Sequence, residues 1–117
     1  LAWRFDALAG AGALWSTLDD MRVFVRVQLD PPDDELGAAI RLALSPHLEA
    51  SGGPHGLGWV RVPGAGNAGA WFHNGGTAGF RSMMVVCPDA RRGSVVMAAS
   101  DRSVDGLGLV LALPPRA

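Results

Sequence analysis

The chain has 117 residues, of which 49% are hydrophobic, and a net charge of −1. That length suits one domain or part of one, and the apolar content is too high for a disordered segment. The near-neutral charge, without a basic patch, argues against nucleic acid as a partner, and no apolar run reaches the roughly 18–20 residues that span a bilayer.

All ten basic residues are Arg, and the chain holds neither Lys nor Tyr. Chemistry that needs an amine or a phenol must therefore come from outside these residues. The one cysteine, Cys87, excludes an internal disulfide and leaves the compartment open. It follows Met83-Met84-Val85-Val86, a setting that predicts a buried, inert thiol. The sequence starts at Leu1 rather than Met and reads as a fragment or a processed form.

In chain order, residues 12–29 predict a helix. Ser16 or Thr17 can cap it, and Asp19 and Asp20 fall in the first turn, where the helix dipole favours acids. The pair Ser16 and Asp19 is read as part of that cap rather than as catalytic. Leu18, Met21, Val25 and Leu29 form the expected apolar stripe, with Arg22 and Arg26 beside it, and Pro31 and Pro32 end the helix. Residues 33–44 predict a second amphipathic helix with Leu36, Ile40, Ala43 and Leu44 on one side, stopping before Pro46. The Gly-rich residues 50–56 read as a linker.

From residue 57 the pattern changes to strands. Residues 57–63, 68–74, 80–88 and 93–100 are candidates, the last two separated by a turn that Gly93 closes. Those two are apolar on both faces, so both faces of the sheet should be covered by helices. Residues 103–113 predict a closing helix with Ser103 as its cap, weakened by Gly106 and Gly108. Two helices, several antiparallel strands and a helix make an α+β fold.

Residues 70–80, Ala-Trp-Phe-His-Asn-Gly-Gly-Thr-Ala-Gly-Phe, place three glycines, a His and a Thr between hydrophobic runs. Asn74-Gly75 is a strong hairpin signal, and a turn there would account for those two residues without any function. It would not account for Gly76, Thr77 and Gly79. The functional reading is a strand edge whose backbone approaches a substrate, with an N–H aimed at a developing oxyanion and with His73 and Thr77 adding polar contacts.

Weaker candidates have plainer readings. His47, Glu49, His55 and His73 fit no zinc-ligand spacing, and no metal or other cofactor is expected. His47 and His55 read as surface or loop residues. Residues 64–69 lack the Lys and the strand-to-helix setting of a phosphate loop. Trp3, Trp15, Trp59 and Trp71 read as packing residues, with Trp71 also a candidate to line a cleft beside His73.

Residues 73–80 and the strands after them resemble the C-terminal part of the serine β-lactamase-related family, which includes class C β-lactamases, penicillin-binding DD-peptidases and related esterases. Residues 11–25 resemble that family's Gly-(x)-Ser-Thr-x-x-Asp helix, and His55-Gly56-Leu57-Gly58-Trp59 resembles its Gly-Leu-Gly-Trp strand entry. The segments run in the family's order from about residue 9 to 113. The resemblance implies the last third of a β-lactamase/transpeptidase-like domain, with residues 1–117 as one partial domain.

It implies that His73-Asn74-Gly75 stands for the family's Lys-Thr-Gly triplet in a His-x-Gly variant. The Gly76 N–H would be half of an oxyanion hole, and His73, Asn74, Gly75 and Thr77 would border the substrate. The family's Ser-x-x-Lys nucleophile and its Tyr-x-Asn or Ser-x-Asn element are absent from this chain. It should therefore be inactive alone and should partner the missing N-terminal part of its own domain. An ordinary imidazole is only roughly a quarter protonated at pH 7, with a pKa of about 6.5, so it holds a substrate carboxylate less firmly than Lys. That favours ester, amide or peptide substrates over cephalosporins.

The resemblance points to a bacterial protein, whether periplasmic, extracellular or cytoplasmic. Rival readings are a non-catalytic binding protein that keeps the fold, or a decayed gene product. Without the family's N-terminal strands, residues 93–100 should form an open sheet edge that promotes self-association.

Overall fold

The computed structural model describes residues 4–63 and 69–113. After a 3₁₀ turn at Asp6–Ala11 come α1 (Leu18–Leu29), α2 (Glu35–Ala43), β1 (Leu48–Ala50), β2 (Gly53–His55), β3 (Val60–Arg61), β4 (Trp71–Thr77), β5 (Phe80–Cys87), β6 (Arg92–Ala98) and α3 (Asp105–Ala112). The six strands form one antiparallel sheet in sequence order, which makes the fold α+β as expected. Trp3 and residues 64–68 lie outside the described residues.

Local chemistry explains the helix starts. Thr17 is the N-cap of α1, and its Oγ1 accepts from the Asp20 N–H at 3.2 Å. Asp34 caps α2 by accepting from the Gly37 N–H at 3.0 Å. Ser103 is not the cap of α3; Val104 holds that place, while the Ser103 Oγ accepts from the Asp105 N–H at 3.2 Å.

The apolar stripes are narrower than the sequence pattern suggests. In α1, Val25 and Gln28 are buried, Met21 and Leu29 half-buried, and Leu18 is exposed. In α2, Gly37 and Ile40 are buried and Leu36 is exposed. Leu18 and Leu36 sit in the first turns of their helices.

Both faces of the sheet are covered by helices. On one face, Val25 of α1 packs with Trp59, Trp71 and Val86, and Leu29 adds to that cluster. On the other, Ala112 of α3 packs with Val62, Ala70, Met83, Val85 and Cys87. Glycine permits the close approach on each side. A β carbon on Gly93 would lie 2.5 Å from a methyl of Val25, and one on Gly108 would press on the Met83 side chain. The Ser94 hydroxyl donates to the Gly108 carbonyl at 2.6 Å and ties β6 to α3. Cys87 is buried as expected, and burial raises its thiol pKa above the ordinary value; Arg92 opposes that shift and Asp89 adds to it.

Residues 50–56 are not a linker. Ala50 pairs with Gly53 in a tight β1–β2 hairpin, where Gly52 and Gly53 take φ of 108° and 107°. Trp15 does not pack in a core either. It is 78% exposed and meets Phe80 edge to face at 6.3 Å.

Candidate functional site

The Asn74-Gly75 pair does not turn. β4 runs straight through residues 71–77, and the chain reverses at Ala78 and Gly79, with Thr77 paired to Phe80. Gly79 supplies the positive φ of 82° that this reversal requires. Apolar pairing decides between the two sites. The observed register sets Trp71 opposite Val86 and Phe72 opposite Val85. A turn at residues 74–75 would set Trp71 against Ala78 and Phe72 against Thr77, and both core clusters would lose their partners.

β3 flanks only the start of β4, through the pairs Arg61–Trp71 and Val60–Phe72. Residues 73–77 extend past it, paired with β5 on one side and open on the other. Strand alternation fixes which backbone groups face that opening. The Val62 N–H donates to the Ala70 carbonyl at 2.9 Å, so Ala70 directs its polar groups toward β3. Polar groups switch sides at each residue of an antiparallel strand, and the register with β5 is unbroken. Phe72, Asn74 and Gly76 therefore turn their N–H and C=O away from β5. Trp71, His73, Gly75 and Thr77 turn theirs toward it.

Side chains alternate as well. Trp71 belongs to the cluster under α1 and Phe72 to the cluster under α3. His73, Gly75 and Thr77 follow Trp71 onto the α1 face; Asn74 and Gly76 follow Phe72 onto the α3 face. His73 Nδ1 lies 2.6 Å from the Gly58 carbonyl oxygen. A carbonyl only accepts, so Nδ1 carries the proton, and Nε2 of the neutral ring is left as an acceptor. Asn74 Nδ2 donates to Asp105 Oδ2 at 2.9 Å, which fastens the strand to the start of α3. On the α1 face, a β carbon on Gly12 would lie 3.6 Å from the Thr77 methyl, so the chain before α1 passes beside the hairpin tip.

Arg81, opposite Gly76, was not among the expected site residues. Its Nε donates to the Asp101 carbonyl at 3.3 Å, and its guanidinium occupies the space that a β carbon on Gly76 would fill. Gly76 thus makes room first for a side chain of its own hairpin. Arg81 and Asp101 line an open depression of about 210 Å³ with Gly76, Thr77, Ala78 and Gly79. Alternation would have put Arg81 beside Gly76 had the turn been located at residues 78–79. Nothing in the sequence marked Asp105 or the Gly58 carbonyl, because both contacts join distant segments.

The other candidates disperse. Trp71 is 3% exposed, within the α1-side core rather than in a cleft, with the Arg61 guanidinium 5.5 Å from its ring centroid. His47 Nε2 contacts the Leu42 carbonyl at 2.8 Å, and His55 is half-buried in β2 with Nδ1 2.8 Å from the Gly53 carbonyl. Among the described residues no group of three or more His, Cys, Asp or Glu is arranged to hold a metal ion, and no helix is long and apolar enough to cross a membrane.

A family model described as Beta-lactamase matches residues 2–110. The chain belongs to that family. No curated protein and no solved structure matches it. Membership of the Beta-lactamase family suggests a serine hydrolase-type function, and the antiparallel sheet with helices on both faces accords with it.

Proposed function

We propose that this chain is the C-terminal part of an acyl-serine hydrolase acting on ester, amide or β-lactam bonds, and that β4 supplies the edge along which the substrate lies. The observation that carries the reading is the open edge of residues 73–77, on which the Gly76 N–H faces away from β5. An amide fixed in a sheet needs no reorganisation to stabilise a developing oxyanion, a contribution of about 3–4 kcal/mol where one such donor is removed. Asn74 directs its backbone polar groups to the same side. His73 presents Nε2 as an acceptor when neutral and as a donor when protonated, suited to a substrate polar group. Gly75 and Thr77 complete the border. The serine that is acylated and the base that activates it come from elsewhere in the domain, since the chain has no Ser-x-x-Lys and no Lys.

The outer surfaces support a partial domain. Leu14, Trp15, Val23, Leu107 and Val110 are exposed beside the well-packed sheet. Large apolar side chains in such number on outer faces mark surfaces that further protein covers. They also suit a second reading, in which the chain keeps the fold as a non-catalytic binding protein.

The deciding test is the coding sequence ahead of Leu1. In-frame Ser-x-x-Lys followed by Tyr-x-Asn or Ser-x-Asn, with covalent labelling of that serine by a fluorescent penicillin or an activated ester, is the expected result. Unrelated sequence or a stop codon there removes the enzyme reading and leaves the binding one.

A further inference from the structure

The open stretch of β4 has a different polar group on each face of the sheet. On the α1 face is His73, whose Nδ1 is held by the Gly58 carbonyl and whose neutral ring offers an acceptor. On the α3 face is Arg81, the cross-strand partner of Gly76. Its half-buried side chain reaches from β5 across Gly76, toward the unpaired side of β4. Glycine is what admits it, because a β carbon on Gly76 would collide with the guanidinium. The chain has no Lys, so the fixed positive charge over this edge is that of Arg81.

Arg81 is held in place without being neutralised. Its Nε donates to the main-chain carbonyl of Asp101 at 3.3 Å, and it makes no ion pair among the described residues. The carbonyl fixes the plane of a guanidinium whose fork matches a carboxylate bidentately. The depression beside it, about 210 Å³, is several times the roughly 30 Å³ that one water takes up, which leaves space for an acidic group. The Asp101 carboxylate also borders this space. It is exposed and screened by solvent, whereas Arg81 is half-buried, so the guanidinium sets the sign of the field there.

We propose that Arg81 is a specificity-determining residue that takes a carboxylate of the substrate, on the α3 face and on the hairpin-tip side of the scissile carbonyl; this rests on β4 being the substrate edge. An extended ligand along an edge strand sends successive groups to alternate faces, so one substrate can meet His73 on one face and Arg81 on the other. With its carbonyl at the Gly76 N–H, the part that extends past Thr77 carries the acid. The part toward His73 carries a neutral polar group. The substrate class is then an ester or amide with an acid on one defined side of the bond that breaks.

Amide-resolved NMR of the 117-residue chain tests this with two probes, N-acetylglycine as its sodium salt and the neutral N-acetylglycinamide. The acid should shift the Gly76, Thr77 and Gly79 N–H signals saturably, bind about tenfold more tightly than the amide, and weaken as salt rises. Arg81→Gln should remove that preference, and Arg81→Lys, which keeps the charge and loses the fork, should retain part of it. The amide spectrum reports whether each variant stays folded; if Arg81→Gln does not, Arg81→Lys and the salt series decide. An equal response to both probes, a preference that survives Arg81→Gln or ignores salt, or shifts confined to Arg22, Arg26 and Arg91 would overturn the proposal. The titration involves no serine. A labelled upstream serine with equal probe binding therefore refutes the Arg81 assignment alone, and a preference for the acid without such a serine refutes the hydrolase alone.

Discussion

The two halves of β4 are built on opposite terms. Trp71 and Phe72 lie between β3 and β5, and their side chains enter the two core clusters. Residues 73–77 have one neighbouring strand, exposed side chains at His73 and Asn74, and polar contacts to Gly58 and Asp105 in place of apolar packing. The first half fixes register; the second inherits it. A strand segment that positions a backbone N–H at an open edge cannot also be paired there, so its order is supplied from the buried half and from β5.

This contrast can be broken most severely at the buried end. Trp71→Ala should cost about 3–5 kcal/mol, read as a loss of midpoint in thermal or urea unfolding, because it empties the centre of the α1-side cluster. A cost near that of a surface substitution would mean that the buried half does not fix the register.

Amide hydrogen exchange sharpens it next. The N–H groups of His73 and Gly75, directed at β5, should exchange at least about tenfold more slowly than those of Asn74 and Gly76. Equal protection along the strand would mean that the edge is covered. A smaller effect is expected at Asn74→Ala, about 0.5–1 kcal/mol, since the lost bond to Asp105 is exposed. Asp105→Ala should cost the same, and the double variant little more.

The smallest effect is a slope with pH. Burial raises the Cys87 thiol above its ordinary value, so the folded chain holds a proton that the unfolded chain releases. This contribution is complete below the unfolded thiol pKa of about 8.5 and declines as pH rises beyond it. The unfolding midpoint should therefore fall on the alkaline side, and Cys87→Ala should flatten that decline. An unchanged slope in the variant would assign the decline to other groups.

Much of the fold was legible in residue order. The Thr17 cap, the acids after it, the prolines that end α1 and the two-faced apolar strands β5 and β6 are local signals; both strands formed close to where they were expected, while α1 begins only after its Thr17 cap rather than at residue 12. Local signals misled where two competed. Asn74-Gly75 and Ala78-Gly79 can both turn, and only pairing over residues 71–87 selects the second. Residues 50–56 carry glycines suited to a linker or a hairpin, and pairing with β3 selects the hairpin. Trp15 is apolar by type yet exposed, because the chain before α1 lies beside the hairpin tip rather than beneath a helix.

The sequence by itself determined the α+β class, the buried cysteine, the family and the stretch of chain that carries the candidate site. Those properties depend on residue type and on spacing within an element. Only the tertiary structure decided that Gly76 lies beneath Arg81, that Asp105 holds Asn74, and that a carbonyl from Gly58 sets the tautomer of His73. These contacts join residues 5 to 31 positions apart, and no local pattern encodes which distant groups a folded sheet brings together.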